Sequence, residues 1–188
     1  ITNKIMAATS GVINIVEFVS CEYADVDVSS ATLPTTLESI TADQLKQGTF
    51  SLDIPEESVT SDFTEDGETY NVRTTPSAKK AVLGLATATA ATIADFTPAT
   101  LTAGTAGTTA DKLKFGTSAA ASAVNKYVKI TGKNSDGKTI IVELFNAKPT
   151  YSWSGANGKS TEPQPFTVTF NVLRNRGYGA SFQISPAF

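Results

Sequence analysis

The chain has 188 residues, 40% of them hydrophobic and 18% charged, which is enough for one sizeable core, and its formal net charge is only −3. It contains no histidine, which excludes Ser-His and Cys-His nucleophile pairs, HExxH zinc sites and histidine general bases. One cysteine, Cys21, forbids an intrachain disulfide, and no apolar run approaches the roughly 18 residues that a membrane-spanning helix needs.

No basic stretch followed by an apolar one opens the sequence, so the chain reads as a soluble single domain, neither exported by a signal peptide nor inserted in a membrane. Cys21 lies in the apolar-rich run VINIVEFVSCEY and is expected as a buried, inert thiol, which suits a reducing compartment or a particle assembled in one. Charge is uneven along the chain: through Glu68 there are 13 acids and 2 bases, and after it 5 acids and 13 bases. If the halves form different surfaces, copies attract head to tail, and such heterologous contacts give rings or filaments. Alternatively the halves intermingle in one sheet and neutralise each other locally.

The first strand spans Val12 to Val28. Ile13, Ile15, Val19, Cys21 and Tyr23 share one parity, whereas Val26 and Val28 take the other. A phase flip near Ala24 predicts a bulge or a change of sheet, because a one-residue slip moves side chains to the opposite face. From Ser29 to Gly48 strand character is lost, with Pro34 and one short helix expected near Ala42 to Gln47. A connection of that length is usually functional or disordered. TFSLDI, Thr49 to Ile54, alternates as a half-buried strand.

VTSDFTEDGETYNVR, Val59 to Arg73, reads as a hairpin turning at Asp66-Gly67, a pair that readily supplies the positive φ of a tight turn. Asp62, Thr64, Asp66 and Gly67 match the start of a calcium loop, but its twelfth position is Arg73 instead of glutamate and no helical pattern precedes it. KKAVLGLATATAATIADF predicts a strand to about Leu85 and a short helix from about Ala88 to Phe96. Small residues dominate the next stretch, about 97–123, with Leu113 and Phe115 as its apolar anchors. It is expected as a surface insertion with one short strand.

The strongest strand signal comes late. VNKYVKITGKNSDGKTIIVELFNA, Val124 to Ala147, predicts a hairpin turning at Asn134-Ser135-Asp136-Gly137. YSWSGANGKSTEPQP reads as a loop, whose Gly158-Lys159-Ser160 lacks the upstream glycine and the following helix of a phosphate loop. PFTVTFNVL, Pro165 to Leu173, and Ala180 to Ile184 supply two last strands, with Arg174 and Arg176 at a solvated turn between them. No Asp/Glu pair, Ser/Thr or Lys is arranged as a recognisable catalytic site, and no cofactor or metal is implied.

This order of elements resembles the major tail tube proteins of long-tailed bacteriophages, over most of the chain. The resemblance rests on the N-terminal strand with its extended loop, the acidic strands and the passage VLGLATATAATIADF. Its most specific parts are the lysine-rich hairpin VKITGKNSDGKTIIVELFNAKPT and the late strand PFTVTFNVL. It implies a mainly β fold, a β-sandwich or partial barrel with one flanking helix. Protomers would close into hexameric rings that stack head to tail as a hollow tube for DNA, in a virion tail assembled in the bacterial cytoplasm. Baseplate, terminator, tape-measure and sheath proteins are the implied partners. The Ser29 to Gly48 excursion, with Leu33, Leu37, Ile40 and Leu45, would bridge neighbouring rings.

Because cationic side chains dominate affinity for phosphate, a channel that passes DNA must avoid a basic lining. Some of Asp53, Glu56, Glu57, Asp62, Glu65, Asp66 and Glu68 are therefore expected to face the channel, with Lys126, Lys129, Lys133 and Lys138 outward or between subunits. Competing readings are another virion or secretion-tube ring component, such as a terminator or baseplate ring, and a monomeric carbohydrate- or cell-binding β-sandwich using Tyr151, Trp153 and Tyr178 as an aromatic platform.

Overall fold

A computed structural model describes residues 15, 17–46, 48–55, 58–63, 65–66, 69–75, 77–115, 124–153 and 166–186. In chain order the strands are β1 (Glu17–Asp25), β2 (Glu38–Thr41), β3 (Ser51–Asp53), β4 (Ser58–Phe63), β5 (Thr69–Thr75) and β6 (Lys79–Leu85). After the helix α1 (Ala90–Phe96) come β7 (Thr100–Thr102), β8 (Lys112–Lys114), β9 (Lys126–Lys133), β10 (Thr139–Trp153), β11 (Phe166–Val172) and β12 (Phe182–Pro186). The protein is mainly β: eight strands form one antiparallel sheet in the order β2-β1-β9-β10-β11-β6-β3, with β12 also pairing β10. Leu45, just past β2, bridges Leu85 at the end of β6, so the sheet bends until one end meets the other as a partial barrel.

The β9–β10 hairpin is the spine of this sheet, and its turn chemistry is as the sequence predicts. Gly137 takes φ 74°. The buried Asn134 accepts at Oδ1 from the Asp136 and Lys138 amides, at 3.0 and 2.9 Å. Alternate residues then face one core: Val128 and Ile130 from β9, Ile140, Val142 and Leu144 from β10, Cys21 and Tyr23 from β1, Ile40 from β2, Leu83 and Leu85 from β6, and Val168 and Phe170 from β11. Burying each such side chain contributes about 1.5–3 kcal/mol, so this two-periodic set is what holds the sheet closed.

β10 is longer than its sequence suggests, running on through Pro149 to Trp153 where a loop was expected at Tyr151. The parity explains how a strand tolerates that proline. The Leu173 amide donates to the Asn146 carbonyl at 2.7 Å, and Pro149 faces Phe170. Alternation therefore turns the Pro149 nitrogen away from β11, to the side where β9 has already ended at Lys126 opposite Ala147.

The phase flip near Ala24 has a different cause from a bulge. Pairing of β1 with β9 is continuous from Ser20 to Asp25, and the irregularity lies between Phe18 and Ser20. Past Asp25 the chain leaves the sheet, and Val26 joins Tyr127 and Phe145 in a second, smaller cluster on the opposite face, where Val28, Leu33, Leu37 and Ala180 pack. Residues 12–14, the expected start of this strand, lie outside the described residues. The described part of the Ser29 to Gly48 stretch holds β2 and a 3-10 turn at Ala42–Gln44 where a helix was expected to Gln47, a residue outside the described ones.

Thr89 caps α1, its Oγ1 accepting from the Thr92 amide at 3.1 Å, and Phe96 drives the helix end into the main core. The small-residue insertion follows. Its described part is a hairpin of two short strands, β7 and β8, rather than one. The acidic stretch folds as the expected hairpin, β4 pairing β5 as a separate two-stranded sheet. Its Thr64, Gly67 and Glu68 lie outside the described residues, as do residues 116–123 of the insertion.

Candidate functional site

The five described ion pairs decide between the two charge readings. They join Glu17 to Lys133, Glu22 to Lys129, Asp25 to Lys126, Asp53 to Lys80 and Asp62 to Arg73, at 2.6–3.6 Å. Each links an acid of the N-terminal stretch to a base of the later one. The first three are direct cross-strand partners of β1 and β9, so among the described residues the halves intermingle and neutralise each other. The exposed ones are worth at most about 1 kcal/mol, and their larger effect is to favour one register; Lys126, in its pair with Asp25, is buried.

The acids expected at a channel therefore differ in setting. Asp53 on β3 and Asp62 on β4 each have a cation beside them. Glu65 and Asp66 are exposed at the tip of the β4–β5 hairpin. Glu56, Glu57 and Glu68 lie outside the described residues. Arg73 stands 3.4 Å from Asp62, so the residue at the twelfth position of the calcium pattern occupies the carboxylate at its first. The lysines divide too: Lys126 is buried toward the main core, whereas Lys129 and Lys133 extend from the opposite face of β9.

The four apolar residues expected to bridge rings differ in burial. Ile40 is fully buried in the main core, which leaves it no surface for a neighbour. Leu45 packs against that same core, and Leu33 and Leu37 against the second cluster. Leu33, Leu37 and Leu45 are half-buried, so of the four only Ile40 is withdrawn from the surface.

Aromatic residues build the clearest concave surface. Tyr151 and Trp153, two apart on β10, share a face, and Phe115 beyond β8 lies against Tyr151 with ring centroids 5.8 Å apart. With Ile93 of α1, Leu113 of β8 and Phe166 of β11 they line an apolar groove of about 420 Å³, at whose rim Trp153 is 69% exposed. Tyr178 is not part of it. That ring packs on Phe145 at 4.5 Å, beyond the second cluster on the other face. The three-aromatic platform is thus two residues of the original set plus Phe115, which the sequence marked only as an anchor of the insertion. Arg174 and Arg176 are exposed at their turn, which the fully buried Asn175 fixes by donating to the Phe145 carbonyl at 3.2 Å. Gly158, Lys159 and Ser160 lie outside the described residues.

Cys21 is fully buried, and that burial pushes its thiol up to about 12, with Glu22 adding to the effect, so it is no nucleophile at neutral pH. Among the described residues no helix is long and apolar enough to cross a membrane. No protein-family model matches the chain, and no curated protein matches it.

Proposed function

We propose that this protein is a structural subunit of a phage tail tube, closing into hexameric rings that stack around a channel for DNA. The observation that carries the reading is the β4–β5 hairpin. It forms a two-stranded sheet of its own and pairs with no other described strand. A lone two-stranded hairpin is marginally stable in water, and this one exposes Val72 (57%) with Ile54 (42%) near its base. Those features suit an arm whose partner is another copy of the chain. The hairpin also carries Glu65 and Asp66 at its tip, and an arm presenting acids to the channel would let DNA pass without holding it. Arg73 beside Asp62 within the hairpin, and Lys80 beside Asp53 on the adjoining strands, leave those two positions neutral rather than anionic.

The aromatic groove favours a second reading, a monomeric carbohydrate- or cell-binding module that uses Tyr151, Trp153 and Phe115. Its lining is almost wholly apolar, whereas sugar recognition also needs convergent hydrogen-bonding groups. Negative-stain electron microscopy across a concentration series separates the possibilities. Hollow tubes or stacked rings with a regular axial repeat are expected. Growth that stops at single rings would indicate a terminator or baseplate component. Monomers at every concentration, together with binding on a glycan array, would overturn the tube assignment in favour of the binding module.

A further inference from the structure

A phenol carries one hydrogen, yet the Tyr23 hydroxyl oxygen lies 2.8 Å from Asp95 Oδ2 and 3.1 Å from Glu38 Oε2. It can donate to only one of them. If both carboxylates were ionised, the other contact would bring two oxygen acceptors together with no hydrogen between them. A carboxyl that keeps its proton removes the conflict by donating to the phenol oxygen.

The three groups come from three elements: Tyr23 from β1, Glu38 from the first residue of β2, and Asp95 from the last turn of α1. Other charges lie on elements packed around the cluster. Lys126 of β9 is buried and lies 5.7 Å from the Tyr23 ring centroid. Its ammonium is bound to Asp25 of β1 at 2.6 Å. On β8, which also packs on α1, Lys112 and Lys114 are exposed. The Tyr23 ring itself stacks obliquely on Phe96, next to Asp95, at 4.6 Å, so whatever moves Asp95 also disturbs the anchor of the helix.

We propose that Tyr23, Glu38 and Asp95 form a proton-held clasp that fastens α1 to the β1–β2 edge and loosens when the shared carboxyl proton leaves. Burial of Asp95, opposed by the Tyr23 hydrogen bond and Lys126 and reinforced by the nearby Glu38, raises its pKa from the ordinary aspartate value. A folded-state pKa above the unfolded value gives stability that is full below the unfolded pKa and is lost as pH rises through the folded one. Ile93 of α1 also walls the aromatic groove, so release of the clasp would change that groove's shape. This assignment stands independently of the tube reading.

The test is a carboxyl-carbon NMR titration of the full chain, with amide hydrogen exchange of Ala90 to Phe96 followed over the same pH range and corrected for intrinsic exchange. The Asp95 carboxyl should titrate above the ordinary aspartate value of about 3.9. Protection of α1 should fall about tenfold as it does so, while β9 amides keep theirs. In Asp95→Asn, whose amide is a permanent donor, α1 protection should be independent of pH. Asp95 titrating at the ordinary aspartate value would overturn the proposal, as would unchanged pH dependence in Asp95→Asn. Should that variant fail to fold, the wild-type titration and exchange decide by themselves.

Discussion

Truncating Phe96 to alanine tests how a seven-residue helix is held in this fold. Such a helix is unstable alone, because nucleation costs more than so few hydrogen bonds return; the core must supply what the helix lacks. Phe96 is fully buried, with the Tyr23 ring at 4.6 Å and the Phe170 ring at 5.5 Å in an edge-on arrangement. Removing a buried phenylalanine costs about 3–5 kcal/mol, and two lost aromatic pairs at about 0.5–1.5 kcal/mol each place this site at the upper end. With a urea dependence of about 2.5 kcal/mol per molar, the unfolding midpoint should fall by roughly 1.5–2 M. Far-UV circular dichroism is the suitable probe, since the single tryptophan, Trp153, is largely exposed. As a control, Trp153→Ala should move the midpoint by a few tenths of a molar at most. A drop below about 0.5 M for Phe96→Ala would mean that α1 is not anchored through this ring, and the reasoning would be wrong.

Gly177→Ala should destabilise by about 3 kcal/mol and lower the thermal midpoint by roughly 6–10 °C, because a Cβ there would lie 2.3 Å from the Ser30 carbonyl oxygen, a backbone atom with little room to give. A melting curve coincident with wild type would show that the 28–30 segment moves freely. Cys21 should resist alkylating reagents at mildly alkaline pH and react only in denaturant, its thiol being buried and pushed up to about 12; stoichiometric labelling of the native protein would contradict this. Burial, with hydrogen bonding to Asp95 and Glu143 respectively, raises the Tyr23 and Tyr127 hydroxyls above the ordinary tyrosine range. Two of the five tyrosines should therefore stay un-ionised in an alkaline absorbance titration until the fold is lost. By the same linkage, stability from these groups is full below about pH 10 and declines as pH rises toward their folded values. All five ionising together while native dichroism persists would refute it.

Local periodicity and turn chemistry made much of the sheet legible. Two-residue alternation in KYVKITGK and TIIVELF marks β9 and β10 because each strand has one core face, and Asn134 to Gly137 marks their turn because it needs a positive φ and a side-chain acceptor. The switch from VLGL to ATIADF marks β6 and α1 for the same reason, a change from period two to a helical face. Composition likewise settled the want of any histidine chemistry. The extension of β10 was hidden because Pro149 breaks the expected pattern, and its tolerance depends on which side of the strand β9 occupies.

Only the tertiary structure decided how surfaces are shared. The phase flip at Ala24 is real in the sequence, but whether it means a bulge or a change of face turns on Tyr127 and Phe145, about 100 and 120 residues further along the chain. Charge segregation along the chain is equally real, and the antiparallel pairing of β1 with β9 converts it into local neutralisation. The Tyr23, Glu38 and Asp95 cluster leaves no local trace, since its members are up to 72 residues apart. A sequence determines which residues want burial, turns or partners because those preferences are local. Which partner each one receives is a long-range matter, set when the sheet closes and brings distant positions onto one face.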